Sequence, residues 1–140
     1  PNVSVSRVRA ALAWTPALLY AAFIWLVSSM SHPDFVPVAD VPFQDKGVHF
    51  LVYGVLALFI AHGAARTWPS WPLWRGFVFA VVAATLWGAL DEFHQSFVPG
   101  RSSDVVDLLA DALGATSGAA THTATVALLR LRAPTSRTTR

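Results

Sequence analysis

Long apolar runs constrain this chain more than any other feature of its sequence. They cover residues 10–27, 48–65 and 76–90. A helix needs about 20 apolar residues to cross the hydrocarbon core of a bilayer. The chain is 54% hydrophobic and only 13% charged, whereas soluble domains carry roughly a quarter charged residues. The runs therefore predict an all-α membrane protein.

A fourth run is more polar and extends from about residue 103 to 131, with Ser102 or Ser103 as its expected N-cap. Glycine, serine, threonine and histidine interrupt it, which suits a helix that faces other helices rather than lipid. The predicted fold is a four-transmembrane-helix bundle over residues 10–131, preceded by a cytoplasmic segment at 1–9. We expect a disordered basic cytoplasmic tail at 132–140.

Prolines and tryptophans distinguish two connections between the apolar runs. Residues 31–44 contain three prolines, which forbid a helix there. Residues 67–75 contain three tryptophans, which we interpret as an aromatic belt at one membrane face rather than a ligand site.

Arginines before the first run also suit a signal peptide. The apolar stretch is longer than a usual signal core and no small-x-small cleavage site follows, so we favour a retained helix.

The basic residues predict an orientation. With four spans, eight of the ten lysines and arginines lie on the side of the termini, and the other side holds only Lys46 and Arg101. Positive charge accumulates on the cytoplasmic side of membrane proteins. Both termini are therefore predicted to be cytoplasmic, and loops 31–46 and 91–104 to lie outside. The chain is expected to be a multi-pass protein of the cytoplasmic membrane, in contact with membrane lipids.

Several classes of function are not indicated. The chain has no cysteine, which excludes disulfides, thiolate metal sites and cysteine nucleophiles. The sequence pI is about 9.7, but no basic cluster alternates with exposed aromatics, so nucleic acid is not a predicted partner. The G-x-S-x-G, HExxH and glycine-rich phosphate motifs are absent. The sequence does not specify an oligomeric state.

The stretch from Asp91 to Arg101, continued by acids at 104, 107 and 111, holds most of the candidate site residues. Ionisable groups near a bilayer are costly and usually face a bundle interior or a wet cavity. On the fourth helix Asp107 and Asp111 lie in one stripe with Gly114 and Gly118, a small-xxx-small element that we interpret as a helix contact.

The second helix contributes a matching face. Asp45, His49 and Tyr53 follow i, i+4, i+8 spacing, so their side chains lie along one side of the helix. Asp45 could orient His49 or raise its pKa. The alternative is that Asp45 caps the helix and the other two residues serve packing.

Further candidate site residues lie at the end of the third helix and in the turn that follows it. At the end of the third helix Glu92 and Gln95 share a face, while His94 points elsewhere. Arg101 either neutralises Glu92, Asp104 or Asp107, or binds a phosphate or carboxylate with its planar fork. The binding residues are expected to be Asp45, Lys46, His49, Tyr53, Glu92, Gln95, Arg101, Asp107 and Asp111. The candidate catalytic residues are Glu92, His94 and Asp107, of which Glu92 and His94 could serve as an acid–base pair.

No cofactor or metal ligand set is assigned from the sequence. Donors that suit a divalent cation are present, but they lack a recognised ligand spacing.

The chain resembles the VanZ-like family of small membrane proteins over roughly residues 20–120. The segments that carry the resemblance are Ser28-Ser29, the stretch Asp45 to Tyr53, the stretch Asp91 to Arg101, and Asp107, Asp111, Gly114 and Gly118. Asp111 departs from the family pattern, which usually has Asn at that position. The family's name member is associated with low-level teicoplanin resistance. The resemblance therefore implies a membrane-embedded protein of the cell envelope, with a cell-wall precursor or glycopeptide as an expected partner.

Three functions are compatible with these residues. The first is a non-catalytic protein that binds or modulates a cell-wall or lipid component through an outward polar cluster. The second is an intramembrane hydrolase or transferase that acts on a lipid-linked phosphate or glycan. The third is a purely structural ion-pair network between helices. The density of polar groups at a membrane boundary argues against the third, and the lack of a complete catalytic motif favours the first.

Overall fold

The structure, a computed structural model, describes residues 3–31, 44–101 and 103–132, and its regular secondary structure within these ranges is entirely helical. Most of the predicted loop 31–44, Ser102 and tail residues 133–140 lie outside the described residues. The helices are α1 (Val3–Leu12), α2 (Thr15–Ser28), α3 (Gln44–Thr67), α4 (Leu73–Gln95) and α5 (Val105–Arg132).

The first apolar run is a helix with a break in it. Helix α1 begins at Val3, before the predicted run, and ends at Leu12, and α2 follows after a two-residue turn. Pro16 lies in the first turn of α2. Because proline has no backbone N–H and its ring clashes with the preceding turn, it cannot continue the helical hydrogen bonds of α1. The break is thus encoded at Pro16.

Within the described residues, three stretches are long and apolar enough to cross a membrane: Ser6–Ser28, Asp45–Thr67 and Leu73–Gln95. They match the first three predicted runs. Helix α5 has 28 residues, which at about 1.5 Å per residue is also long enough. Its two aspartates, its hydroxyl residues and its histidine make it more polar than the other three. The fourth span therefore stays a prediction.

Helices α3 and α5 make the most extensive contact in the structure. A Cβ added at Gly114 would overlap the backbone carbonyl of Phe50, and one added at Gly118 would overlap that of Gly54. Gly54 in turn lies against Gly114. The small-xxx-small prediction is confirmed, since the two backbones touch where side chains are missing. This contact sets the position of every side chain nearer the start of α5.

The remaining core is built from small residues. Ala80 and Ala84 of α4 and Ala115 and Ala119 of α5 are fully buried, with Leu56 as the largest aliphatic side chain among them. Alanine on facing helices allows close packing in a membrane, where dispersion rather than the hydrophobic effect drives association. Helix α2 contacts α3 and α4 much less extensively.

Aromatic rings gather at the end of the bundle that holds the 68–72 connection. Trp68 and Trp71 stack with their centroids 4.4 Å apart, and Phe79 meets both rings edge-on. Trp14 joins them, because its indole N–H donates to the hydroxyl of Thr67 at 2.8 Å. The arrangement fits an aromatic belt, to which the first helical stretch contributes a ring as well.

The glycine contact generates a prediction about stability. Gly118→Ala should destabilise the protein by about 1–3 kcal/mol, because the added methyl group meets backbone rather than a flexible side chain. Thermal unfolding of the purified protein in detergent measures the change.

Gly76→Ala is the matched control, because nothing lies within 4 Å of a Cβ added there. Alanine is the better helix former by roughly 1 kcal/mol, so this variant should be at least as stable as the wild type. Equal melting temperatures for Gly118→Ala and wild type would contradict the contact.

Candidate functional site

Among the described residues, six buried polar side chains meet at the end of the bundle opposite Trp68 and Trp71. They are Ser28, Asp91, Glu92, Gln95, Asp107 and Asp111. The end of α2, the end of α4 and the start of α5 supply them, and the start of α3 adds Lys46 and His49. We call these eight residues the polar cluster.

Helices α2 and α4 form one side of the cluster around Asp91. The hydroxyl of Ser28 donates to Oδ1 of Asp91, and the amide of Gln95 donates to Oδ2 at 3.0 Å. Both carboxylate oxygens are thus satisfied, which allows Asp91 to lie buried with 2% of its surface exposed. This is the polar link between the loosely packed α2 and the rest of the bundle.

Helices α3 and α5 form the other side around Asp111, which is fully buried. Its Oδ1 lies 2.9 Å from Nδ1 of His49. When Asp111 is ionised its carboxylate only accepts hydrogen bonds, so Nδ1 of His49 then carries a proton and Nε2 is the nitrogen left for a ligand. The Asp111 carboxylate also lies against Gly88, where an added Cβ would collide with it. Gly88 therefore makes room for the carboxylate between α3 and α4.

Lys46 joins three acids at the outer edge of the cluster. Its Nζ lies 2.8 Å from Asp45 and from Asp104, and 2.7 Å from Oδ1 of Asp107. The contact with Asp107 has ion-pair distance without hydrogen-bond alignment. The Lys46 ammonium beside Asp104, and then the Val106 amide, hold the pKa of the Asp104 carboxyl below its usual value. Lys46 thereby ties the starts of α3 and α5 together.

Glu92 connects α4 to the beginning of α5. Its Oε2 accepts from the backbone amide of Asp104 at 2.7 Å. Asp104 itself caps α5, because its Oδ1 accepts from the amide of Val106 at 2.8 Å. This corrects the expectation of a serine cap: α5 begins at Val105, so Ser103 is one residue too early, and Ser102 lies outside the described residues.

Three of the predicted residues lie at the margin of the cluster. Tyr53 is buried and its ring is nearly parallel to that of His49, with centroids 6.2 Å apart. The ring of His94 stacks on Trp25 at 4.2 Å, away from Glu92. Asp45 lies within the first turn of α3 and pairs with Lys46.

Arg101 contacts none of the acids to which it was assigned. Its Nε donates to the carbonyl oxygen of Met30 at 3.3 Å, and within the described residues it forms no ion pair with Glu92, Asp104 or Asp107. Lys46, rather than Arg101, forms the ion pairs with Asp104 and Asp107. Gly100, with φ 80°, turns the chain just before Arg101 and aims it toward the end of α2.

Sequence reasoning missed Ser28 and Asp91 as site residues. The i, i+4 spacing of Asp91 and Gln95 was a usable signal for their hydrogen bond. The role of Ser28 depends on the pairing of α2 with α4, which no local pattern encodes.

An apolar groove of about 650 Å³ leads away from the cluster. Helices α2, α3 and α4 line it, from Trp14 and Phe79 at one end to Trp25, Trp87 and Leu90 at the other. Trp25 lies one turn before Ser28, and Leu90 directly precedes Asp91. The groove therefore ends where the polar cluster begins.

One part of the cluster has the geometry of a cation site. His49, Glu92 and Asp107 each offer a ligand atom, and these atoms all lie within 4.8 Å of one another. The same residues could act as acid and base, because the carboxylate of Asp111 orients the imidazole.

Comparison with known proteins identifies one family and one curated relative. A sequence model of the VanZ/LLP1 family matches residues 4–127. The "Uncharacterized protein C11E3.10" of Schizosaccharomyces pombe is 31% identical over 97 residues, which is 67% of this chain and 56% of that protein. The chain thus spans little more than half the length of this relative. No solved structure matches the chain.

Proposed function

Because this chain belongs to the VanZ/LLP1 family, we propose that it is an integral membrane protein of the cell envelope that binds a lipid or a lipid-linked cell-wall component. The acyl chain would lie in the apolar groove and the headgroup against the polar cluster. The observation that carries this proposal is the continuity of the two features between α2 and α4. A site with one apolar and one polar end suits an amphiphile.

The groove has the dimensions of a chain-binding site. From Trp14 to Trp25 it follows eleven residues of helix, or roughly 16 Å at 1.5 Å per residue. Four of its twelve lining residues are alanines: Ala17, Ala21, Ala22 and Ala83. Such small residues leave space between the larger side chains that line the groove.

The polar cluster favours headgroups that donate hydrogen bonds. Asp91, Glu92, Asp107 and Asp111 offer acceptors, whereas Lys46 is the one lysine or arginine of the cluster and already contacts three acids. A headgroup with an ammonium or hydroxyl group matches such acceptors. A quaternary ammonium group carries no N–H and matches them less well. The proposal therefore predicts selectivity among phospholipids.

Native mass spectrometry of the purified full chain can test this selectivity. Phosphatidylethanolamine and phosphatidylglycerol should remain bound more strongly than phosphatidylcholine. Ala83→Leu should reduce retention of all three lipids several-fold, because the larger side chain fills the groove. Glu92→Gln should reduce the selectivity instead, because it removes one carboxylate from the headgroup end.

Ala120→Leu is the matched control, since Ala120 is exposed on α5 and does not line the groove. It should retain lipid as the wild type does. Equal retention of the three lipids by the wild type, or equal loss in the Ala83 and Ala120 variants, would contradict the proposal.

We further propose that α5 is the fourth span, that both termini are cytoplasmic and that the polar cluster faces outward. In support, α5 reaches from the polar cluster to the opposite end of the bundle, where Arg130 and Trp68 line one cavity. An outward cluster would meet cell-wall precursors or a glycopeptide, the setting of the teicoplanin resistance associated with the family's name member.

Reporter fusions can test this orientation. A reporter fused after Arg140 should report a cytoplasmic location, and one inserted between Val98 and Arg101 an extracytoplasmic one. An extracytoplasmic C-terminal reporter would contradict the arrangement. In a glycopeptide-susceptible host, wild-type protein should lower teicoplanin susceptibility and Glu92→Gln should not.

A hydrolase or transferase acting on a lipid-linked phosphate or glycan is the second candidate function. The pair of His49 and Asp111 favours it, because a carboxylate that orients an imidazole is a common way to build a general base. Glu92 and Asp107 lie close enough to His49 to take part. His94 is less suited, since it stacks on Trp25.

Phosphate release from lipid-linked pyrophosphates in nanodiscs distinguishes the candidates. A catalytic protein should lose at least about a hundredfold in rate on His49→Gln, the lower range of general base catalysis. His122→Gln, at the opposite end of the bundle, should keep the full rate. If the wild type binds lipid but releases no phosphate, the catalytic function is contradicted and the binding function is supported.

A further inference from the structure

The polar cluster contains more buried acid than its cations balance. Asp91, Glu92, Asp107 and Asp111 are all at least nine-tenths buried. Within the described residues, Lys46 is the one lysine or arginine that lies within ion-pair distance of them. Buried charges in proteins are paired or coordinate metal ions. Such an imbalance favours the uptake of a further cation.

Three carboxylate oxygens of the cluster are buried and accept no hydrogen bond within the described residues. They are Oε1 of Glu92, Oδ1 of Asp107 and Oδ2 of Asp111. Glu92 is 5% exposed, Asp107 8% and Asp111 0%, so none of these oxygens is open to bulk water. Leaving a buried acceptor unsatisfied costs about 1–3 kcal/mol, and more when it is charged. A cation bound by Glu92 would remove that cost for its Oε1.

From this arrangement we infer a divalent cation site formed by His49, Glu92 and Asp107. Each of the three offers a ligand atom within 4.8 Å of the other two. They come from α3, α4 and α5, so a cation between them would cross-link the three helices. The inference does not depend on the apolar groove, because none of the three residues lines it, although Glu92 and Asp107 also belong to the headgroup end of the proposed lipid site.

Two of the three ligands are held by one atom and have another left over. Nδ1 of His49 is held by Asp111, which leaves Nε2. Oε2 of Glu92 is held by the amide of Asp104, which leaves the unpartnered Oε1. Oδ1 of Asp107 lies within ion-pair distance of Lys46 but accepts no hydrogen bond from a described residue. Holding a ligand through its far atom is how proteins orient metal-binding side chains.

The donor types indicate which ions suit the site. One imidazole nitrogen and two carboxylate oxygens fit Zn²⁺ or Mn²⁺, whereas Mg²⁺ and Ca²⁺ prefer oxygen ligands alone. Three protein ligands also leave at least one coordination position open. That position could receive a phosphate or carboxylate oxygen of a bound molecule.

The test uses the full chain in nanodiscs, stripped of metal with a chelator. Calorimetric titration with Zn²⁺ and electron paramagnetic resonance with Mn²⁺ should each detect one saturable ion per chain. Glu92→Gln and His49→Gln should weaken binding by about tenfold or more, and Asp111→Asn by about 10–100-fold through the orientation of His49.

His122→Gln is the matched control. His62 and His122 face each other with centroids 6.1 Å apart at the other end of the bundle, so they are the main competing place for Zn²⁺. This control should bind one ion as tightly as the wild type.

Three results would overturn the inference: no saturable binding to the wild type, wild-type affinity in both the His49 and Glu92 variants, or loss of binding in His122→Gln. Where Glu92→Gln does not accumulate in the membrane, Asp107→Asn replaces it. A wild-type protein that selects among the lipids but shows no saturable metal binding would refute the cation site alone. A wild-type protein that binds one metal ion but retains the three lipids equally would refute the lipid proposal alone.

Discussion

The close approach of α3 and α5 is the contact on which the rest of the structure depends. At Gly114 and Gly118 the backbone of α5 lies directly against that of α3. One and two turns earlier on the same stripe are Asp111 and Asp107, which consequently meet His49 and Lys46. Without the glycines the helices would separate by the thickness of a side chain. The buried ion pairs would then open to water or lipid.

Much of this could be predicted from the sequence because a helix has a fixed period. The spacing of Asp107, Asp111, Gly114 and Gly118 places them on one face, and the apolar runs match the three helices that can span a membrane. The periodicity does not tell which helix each face meets. Arg101 shows this limit, since the density of nearby acids suggested an ion pair and the turn at Gly100 directs the side chain to a backbone carbonyl instead.

The missed residues have a common physical cause. Ser28 gains its role only when α2 packs beside α4, and the apolar groove exists because this packing is loose. The spacing of residues along the sequence predicts neither the role of Ser28 nor the groove. The groove and the polar cluster are nevertheless adjacent, because Trp25 and Leu90 line the groove and lie next to Ser28 and Asp91 in the sequence. A ligand that enters between the two helices would thus contact both features.

The central claim is that an amphiphile lies between α2 and α4 with its headgroup at the polar cluster. Photo-crosslinking tests this claim most directly. A phosphatidylethanolamine with a diazirine in its acyl chain is activated in nanodiscs, and the modified residues are mapped by mass spectrometry. The account predicts labels concentrated on Trp25, Ala83 and Leu90, reduced by Glu92→Gln. Equal labelling of Leu109 and Leu113, which are exposed on α5, and no effect of Glu92→Gln would contradict it.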